Sequence, residues 1–323
     1  MGEAPDVAFL FPGQGSQFVG MGRALWDASP TAREIYAVAD EVVGEPLSKI
    51  SFEGPEETLR LTRITQPAIL VHSLAALGLL QAEGIRPAVV AGHSLGEFSA
   101  LVAAGVLSAR AAIEVVKVRA DLMHQAGVAR PGAMAAILGL PDDEVAQVCR
   151  ELEGAGIVVP ANLNGPGQVV ISGEVAAVLK AMEMAIARGA KRAVRLPVSG
   201  AFHSPLMREA ADGLAAAIDR AGYRDASVPV VVNVSAEPRA RAADLAAASK
   251  AQLTGAVRWE ASMRRMIEDG AGAFVEVGPG KVLKGLLKKI AGKFPCATLE
   301  SPEDLPGVMR LLREGVGAEG GTA

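Results

Sequence analysis

Apolar segments of strand length alternate with amphipathic helical segments along most of the chain. The predicted strands are four short apolar runs: Val7 to Phe11, Ala88 to Ala91, Val230 to Asn233 and Ala273 to Val277. The predicted helices show apolar residues at helical spacing and are Gln66 to Ala82, Leu95 to Ala104, Ala109 to Ala126, Leu206 to Ala221 and Lys281 to Ile290. This alternation indicates a mainly parallel sheet covered by helices on both faces.

The middle of the chain has a different order of elements. Its segments are predicted as strand, helix, strand, strand, helix and strand: Ala133 to Leu140, Asp142 to Leu152, Ile157 to Ala161, Gln168 to Ser172, Val175 to Arg188 and Lys191 to Val198. A turn over 162–167, rich in Asn, Gly and Pro, separates the two central strands. This βαββαβ order is typical of a ferredoxin-like unit. We therefore expect a small subdomain at 128–198 inserted into a larger one formed by 1–127 and 199–323, with a ligand site between them.

Composition and charge argue against several classes of protein. Half of the 323 residues are hydrophobic, so the chain can bury a large core, and its net charge of -4 argues against binding along a phosphate backbone. No run approaches the roughly 18 uninterrupted apolar residues of a membrane span. We expect a soluble cytosolic protein that binds neither nucleic acid nor membrane. Cys149 and Cys296 lack metal-ligand spacing and are predicted to be core thiols.

The pentapeptide Gly-His-Ser-Leu-Gly at 92–96 places Ser94 between a predicted buried strand and a predicted helix. A sharp turn from strand to helix needs small residues beside a nucleophile and leaves its hydroxyl at the helix N-terminus, where backbone N–H groups can stabilise an oxyanion. Ser94 is therefore a candidate nucleophile. The alternative is a glycine-rich turn in which Ser94 only caps the helix.

A serine nucleophile needs a base, and the chain has four histidines. His203 is the best placed, because it follows a predicted strand and precedes a helix that begins at Ser204-Pro205, at the same sheet edge as Ser94. The alternative is an ordinary histidine near a helix N-terminus. No Asp or Glu is evident as the acid that would orient an imidazole, which weakens a plain hydrolase assignment.

Arg119 falls within the apolar stripe of the helix predicted at 109–126. A buried guanidinium needs an anion, because an unpaired buried charge is costly. One interpretation is an internal pair with a carboxylate such as Glu97. The other is bidentate binding of a substrate carboxylate.

A glycine-rich segment, Phe-Pro-Gly-Gln-Gly-Ser-Gln at 11–17, follows the first strand. The glycines on either side of Gln14 let the backbone approach a ligand closely, so the N–H groups of Gln14 and Leu95 are candidate oxyanion donors. The segment lacks the lysine and spacing of a P-loop and the third glycine of a dinucleotide-binding motif.

These motifs, with others along the chain, resemble those of the malonyl-CoA:acyl carrier protein transacylases of type II fatty acid synthesis and the related acyltransferases of polyketide synthases. The matching segments are FPGQGSQ at 11–17, TQPAI at 65–69, GHSLGE at 92–97, Arg119, GAFHSP at 200–205, QLTGAVRW at 252–259 and EVGPGKVL at 276–283. They occur in the family's order and approximate spacing. The resemblance implies an α/β-hydrolase-like parallel-sheet core with an inserted ferredoxin-like subdomain.

The resemblance also implies roles for the candidate catalytic residues. Ser94 looks like the acylated nucleophile and His203 like the base. Arg119 matches the residue that binds the malonyl carboxylate, and the N–H groups of Gln14 and Leu95 match the oxyanion hole. The implied reaction moves a malonyl group from malonyl-CoA to Ser94 and then to the thiol of holo acyl carrier protein, without metal or redox cofactor.

Further roles follow only from the resemblance. Gln252, rather than an acid, supports the histidine in this family. Asn162 and Asn164 match a loop that borders the cleft and could contact the pantetheine arm, although a turn of this composition needs no such role. Phe202 resembles the malonyl-selective version of its segment, in which a bulky side chain crowds a C2 methyl group. Gly200 departs from the His or Tyr of many polyketide acyltransferases.

Other functions remain open at this point. A serine esterase or thioesterase would share the nucleophile but would not need Arg119, and a docking scaffold without chemistry would more naturally lack one of the three candidate residues. Fatty acid synthesis and action in trans on a polyketide synthase are both compatible with the motifs. We expect a monomer. Two basic clusters could receive an acidic carrier protein, or could simply be solvated faces: Lys281, Lys284, Lys288 and Lys289; and Arg188, Lys191 and Arg192.

Overall fold

The computed structural model of the protein describes residues 6–198 and 200–314. Its strands are β1 (Val7–Phe11), β2 (Val89–Gly92), β3 (Gly132–Leu138), β4 (Val158–Gly165), β5 (Gln168–Glu174), β6 (Arg192–Arg195), β7 (Val230–Val231), β8 (Pro238–Arg239), β9 (Ala273–Val277) and β10 (Cys296–Leu299). They form one six-stranded and one four-stranded sheet.

Helices make up most of the remaining structure. They are α1 (Arg23–Ala28), α2 (Pro30–Val43), α3 (Leu47–Glu53), α4 (Glu56–Leu59), α5 (Thr62–Ala82), α6 (Gly96–Ala103), α7 (Ala109–Ala129), α8 (Asp142–Glu151), α9 (Val175–Ala187), α10 (Arg208–Arg220), α11 (Ala242–Gln252), α12 (Trp259–Glu268), α13 (Val282–Ala291) and α14 (Leu305–Glu314). Single 3-10 turns at Pro205–Met207 and Pro302–Asp304 precede α10 and α14.

The six-stranded sheet has the order β10-β9-β1-β2-β7-β8. Its strands are parallel except at the edge, where β8 pairs antiparallel with β7. The central strand β1 is buried along its whole length: Phe9 and Phe11 face one core cluster, and Ala8 and Leu10 face another that contains Trp259. Burial on both faces is the reason that this strand reads as a continuous apolar run. The predicted mixed α/β class with a parallel sheet is confirmed.

The four-stranded sheet is antiparallel and separate, with the order β4-β5-β3-β6. Its elements follow one another along the chain as β3, α8, β4, β5, α9 and β6. Ala133, Ala135 and Ile137 of β3 pack with apolar residues of α8 and α9 in a separate core cluster, whereas Met134 belongs to the main core. This sheet is hydrogen-bonded to the rest of the molecule: Leu163 donates to the carbonyl of Val257 at 2.9 Å, and Val257 donates to that of Ala161 at 2.8 Å.

Several predicted bounds were wrong. The turn expected over 162–167 is confined to Pro166 and Gly167, because Asn162 pairs with β5 and bridges to Val257, which keeps β4 extended. The strands predicted at 191–198 and 230–233 end at Arg195 and Val231. Helices α1 to α4, α11, α12 and α14 and strands β8 and β10 were not predicted. The side chain of Cys149 is buried, whereas that of Cys296 is only half-buried.

Helix α5 is long and apolar enough to cross a membrane by length and composition. However, 83% of its most apolar 18-residue window is buried inside the fold, where the helix packs against α2 and α7. No second helix of this kind occurs in 6–198 or 200–314. The hydrophobicity of α5 is therefore explained by its place in the core.

Candidate active site

Ser94 lies in the tight turn between β2 and α6. Its φ is 51°, in the left-handed region that residues other than glycine rarely adopt. A Cβ on Gly92 would overlap the backbone of Gly96, and a Cβ on Gly96 would overlap the carbonyl group of Phe11. Both glycines are therefore required by close packing. The turn leaves the Ser94 side chain half-buried at the edge of a pocket.

Asn233, just after β7, braces this turn with three hydrogen bonds. Its side-chain Oδ1 accepts from the N–H of Ser94 at 2.7 Å, and its Nδ2 donates to the carbonyl of Gly92 at 2.7 Å. Its own backbone N–H donates to Glu97 Oε2 at 2.6 Å. Because the Asn233 side-chain amide bonds both the N–H of Ser94 and the carbonyl of Gly92, Ser94 cannot easily relax from its strained backbone conformation. Asn233 is therefore a positioning residue for Ser94.

His203 contacts Ser94 directly, with Nε2 2.7 Å from Oγ. Its other ring nitrogen, Nδ1, lies 3.0 Å from the carbonyl oxygen of Gln252 and 3.2 Å from that of Gly255. Because carbonyl oxygens only accept, Nδ1 carries the ring proton and Nε2 accepts from the serine hydroxyl. Burial, followed by the charge of Arg119, lowers the pKa of His203 to about 3. The imidazole is thus a neutral base at physiological pH.

Gln252 ends α11 and contacts three parts of the site. Its backbone carbonyl orients His203, as described above, whereas its side chain contacts other groups. Side-chain Nε2 donates to the carbonyl of Ser94 at 3.0 Å, and Oε1 accepts from Arg119 at 3.0 Å. The histidine is therefore supported through the main chain, which explains how the site can lack an orienting acid.

Arg119, on α7, is 1% exposed and points at Ser94. Its guanidinium donates to Ser94 Oγ at 3.0 Å, to Gln252 Oε1 and to Gln66 Oε1. Burial lowers the pKa of Arg119 to about 10, which leaves the group charged at neutral pH. Within the described part of the chain it forms no ion pair within 4.0 Å, so Glu97 is not its direct partner. A buried cation with neutral partners can accept a substrate carboxylate.

The pocket beside Ser94 has a volume of about 110 Å³. The predicted site residues that line it, besides Ser94, His203 and Arg119, are Gln14, Leu95, Asn162 and Phe202. Asn164 lies behind the wall, where its Oδ1 accepts from His93 Nε2 at 2.8 Å. A Cβ on Gly200 would overlap the ring of Phe202, so a His or Tyr at 200 would require this ring to move.

Two buried carboxylates, Glu97 and Glu276, lie near the carboxyl ends of the parallel strands β2 and β9. Glu97 accepts from Asn233, and burial raises the pKa of Glu97 to about 7. Glu276 accepts from the N–H groups of Leu283 and Lys284 at the start of α13, and burial raises its pKa to about 7 as well. Among residues 6–198 and 200–314, no group of three His, Cys, Asp or Glu side chains could hold a metal ion.

Comparison with known proteins assigns the chain to a family. The acyl transferase domain family matches residues 8–296, a range that contains Ser94, His203, Arg119 and Gln252. The chain belongs to the acyl transferase domain family. The match covers both sheets apart from Val7 at the start of β1 and residues 297–299 of β10.

Relatives of this acyl transferase share its length and fold. The malonyl CoA-acyl carrier protein transacylase of Bacillus subtilis is 46% identical over 309 residues, which are 95% of this chain and 98% of that protein. The crystal structure of malonyl-CoA:acyl carrier protein transacylase from Xanthomonas oryzae pv. oryzae is 43% identical, with a TM-score of 0.91 and coverage of 97% and 99% of the two chains. A type II polyketide synthase acyl-carrier protein in complex with its malonyl-transacylase includes a chain that is 40% identical, with a TM-score of 0.90 and coverage of 96% and 100%.

Sequence reasoning missed two residues of the acyl transferase site. Gln66 is buried on α5 and accepts from Arg119. Its signal was a polar side chain just before the apolar run at 68–71 of that helix. Asn233 follows a buried strand at the edge where Ser94 emerges, a position that often carries functional side chains. His93, the neighbour of Ser94 in the chain, contacts Asn164 rather than Ser94 Oγ.

Proposed function

We propose that the chain transfers a malonyl group from malonyl-CoA to the phosphopantetheine thiol of holo acyl carrier protein through a malonyl-Ser94 intermediate. The observation that carries this proposal is the position of Ser94 Oγ, within hydrogen-bond distance of both His203 Nε2 and Arg119 Nη2. A nucleophile, a neutral base and a buried cation meet at one atom. The names of the relatives support the same activity.

Acylation begins when Ser94 Oγ attacks the thioester carbonyl carbon and His203 Nε2 accepts the hydroxyl proton. The N–H groups of Gln14 and Leu95 are the proposed donors to the oxyanion. The carbon–sulfur bond then breaks, and His203 returns its proton to the CoA thiolate. In the second half-reaction the carrier thiol gives its proton to His203 and its sulfur attacks the acyl-serine. Ser94 regains the proton as it leaves.

The other predicted site residues have roles compatible with their positions. Gln252 holds His203 through its carbonyl and Arg119 through its side chain. Asn162 lines the pocket at Ser94, and we propose that it contacts the end of the pantetheine arm next to the thioester, whereas Asn164 acts one step away through His93. No metal or redox cofactor is required by this reaction.

The fold supports two architectural assignments. We assign the parallel sheet and its nucleophile turn, from 1–127 and 199–323, to an α/β-hydrolase-like subdomain. The order β4-β5-β3-β6 and the βαββαβ connectivity support a ferredoxin-like subdomain at 128–198. We propose that the enzyme is a soluble, cytosolic monomer.

Intact mass spectrometry tests the proposed function in two steps. Mixing the protein with malonyl-CoA should add one malonyl group, and adding holo acyl carrier protein should then move this group to the carrier. Loss of the adduct to water at the same rate with or without carrier would instead indicate a serine esterase or thioesterase. Absence of any adduct would indicate a docking scaffold without chemistry.

Replacing Arg119 with alanine should lower malonyl transfer strongly while sparing or raising acetyl transfer. The malonyl carboxylate would lose its charged partner in a partly desolvated pocket, at a cost of about 2 to 5 kcal/mol, whereas an acetyl group has no carboxylate to leave unpaired. Steady-state kinetics with both CoA esters measure the effect. Arg110→Ala, an exposed arginine on the same helix, is the control. Equal losses for both substrates would show that Arg119 is structural.

Replacing Phe202 with serine should raise the use of methylmalonyl-CoA relative to malonyl-CoA. The Phe202 ring lines the acyl pocket and would crowd a C2 methyl group. A single methyl group accounts for about 1 to 3 kcal/mol of discrimination, so the shift should be partial. Competition between the two CoA esters measures it, with Phe202→Leu as an apolar control. An unchanged ratio would remove Phe202 from the account of specificity.

Reversing the charges of Lys284 and Lys288 should raise the KM for acyl carrier protein and flatten its salt dependence, while acylation by malonyl-CoA stays nearly unchanged. Both lysines line one cavity on α13, and a local basic surface is needed to attract an acidic carrier to a protein of net charge -4. In the second cluster, Arg188 already pairs with Glu151. Reversal at Lys191 and Arg192 tests that cluster separately. If neither double variant alters carrier kinetics, docking lies elsewhere.

A further inference from the structure

A second cavity, of about 570 Å³, lies next to the pocket at Ser94. The two share Gln14, Leu196 and Val198 in their walls. The pocket at Ser94, with about 110 Å³, has room for a small acyl group only. A thioester donor that places its carbonyl at Ser94 therefore has to extend the rest of its length beyond this pocket. The larger cavity is adjacent to the pocket, because the two share these three residues, and it can hold that part of the donor.

Two arginines line the larger cavity from different parts of the fold. Arg60 directly follows α4, outside the four-stranded sheet, whereas Arg195 is the last residue of β6 within that sheet. The remaining lining residues are Leu61, Thr62, His124, Leu196, Pro197, Val198 and Gln14. These residues include no carboxylate, so the charged groups in the wall favour an anion.

Among the described residues, the acidic group that forms an ion pair with either arginine is Glu56, which lies outside the wall. Glu56 accepts from Arg60 at 2.6 Å, and both side chains are more than half exposed. An exposed pair of this kind within one helical turn contributes about 0.3 to 0.5 kcal/mol, so an incoming phosphate can displace the carboxylate at little cost. Guanidinium groups bind phosphate with two parallel hydrogen bonds.

We propose that Arg60 and Arg195 form a phosphate-binding pair for the thioester donor, on the assumption that the proposed function is correct. The group they recognise is a phosphate joined to pantetheine. Malonyl-CoA supplies it as a diphosphate with a further 3′-phosphate, and holo acyl carrier protein supplies it as a phosphodiester. The pair binds the carrier of the acyl group and leaves the acyl group itself to Arg119.

The test compares malonyl-CoA with malonyl-pantetheine, which has the same thioester and no phosphate. The kcat/KM for malonyl-CoA divided by that for malonyl-pantetheine should fall at least tenfold in the Arg60→Gln/Arg195→Gln double variant. Malonyl-3′-dephospho-CoA and holo acyl carrier protein, used as further substrates, show whether the diphosphate, the 3′-phosphate or the carrier phosphodiester is bound. Arg63→Gln is the matched control, because Arg63 lies near Arg60 but pairs with Glu45 outside the cavity.

A donor ratio within twofold of the wild-type value in the double variant would overturn the proposal. Equal losses with both donors would overturn it too, because they would indicate a structural role for the arginines. Failure of the proposed function looks different: the wild-type protein would then form no malonyl adduct on Ser94 with either donor. Circular dichroism and thermal unfolding of the double variant show whether the fold is intact.

Discussion

Ser94→Ala should form no covalent malonyl adduct and should lose malonyl transfer altogether. The variant lacks the only oxygen that lies 2.7 Å from His203 Nε2 and 3.0 Å from Arg119 Nη2 in the described structure. Serine and alanine both carry a Cβ, so the strain of the left-handed φ is similar in the two proteins and the variant should remain folded. Intact mass after incubation with malonyl-CoA measures the adduct, and a coupled assay measures transfer.

Ser235→Ala is the control for the loss of a serine hydroxyl, because Ser235 is exposed and lies outside the lining of the pocket. This variant should behave as the wild-type protein in both assays. Thermal unfolding of the two variants shows whether a loss of activity comes from the missing hydroxyl or from an unfolded protein. An undiminished adduct on folded Ser94→Ala would place the acyl group on a different residue and remove Ser94 from the mechanism.

His203→Ala should slow both half-reactions by roughly 10² to 10⁴, the usual contribution of a positioned general base. The adduct should still form slowly, because the nucleophile and the proposed oxyanion donors remain. In the wild-type enzyme the pKa of His203 is lowered to about 3, below its usual value of 6.5. The imidazole therefore stays neutral as the pH falls from 8 to 5, and His203 should cause no loss of acylation rate in that interval.

Rapid-quench measurements of acylation by malonyl-CoA and of transfer to holo acyl carrier protein, each at several pH values, check both expectations. Ser235→Ala also serves as the comparison here, because the exposed Ser235 lies outside the lining of both the pocket at Ser94 and the larger cavity beside it. A rate that declines through pH 6.5 in the wild-type enzyme and becomes independent of pH in His203→Ala would mean that the histidine titrates at its ordinary value. A loss confined to one half-reaction would contradict its role as the shared base.

Local patterns predicted the strands that lie in the middle of the sheet. The bounds of β1 and β9 agree with the prediction because each is a run of buried residues on a strand covered on both faces. Strands β7 and β8 have two residues each, too few to show any periodicity. The extension of β4 past Asn162 arises from pairing with β5 across the short turn at Pro166 and Gly167, together with a bridge from Asn162 to Val257, about ninety-five residues later. The Asn, Gly and Pro content of this segment predicted a longer turn, because local composition does not report either pairing.

In the candidate site too, residues with a local signal could be predicted, whereas contacts between distant parts of the chain could not. Ser94, His203 and Arg119 could be proposed because each stands out locally: a small-residue turn, a histidine at a strand end and a cation in an apolar stripe. The contact between Asn233 and Ser94 spans 139 positions along the chain and became visible only with the fold. The prediction that Gln252 supports the histidine could not say that its main chain makes the contact, since any residue has a carbonyl group.

The two glycines that border Ser94 bear on how variants of this enzyme are interpreted. Neither Gly92 nor Gly96 has a side chain that could take part in the chemistry, yet a single added methyl group on either would collide with neighbouring backbone. Backbone atoms cannot rotate away as a side chain can, so substitutions there should reduce the amount of folded enzyme in cells, whereas Ser94 variants should accumulate as inactive protein. In a survey of all single substitutions, abundance and activity together would therefore separate the residues that build the turn from the residue that uses it.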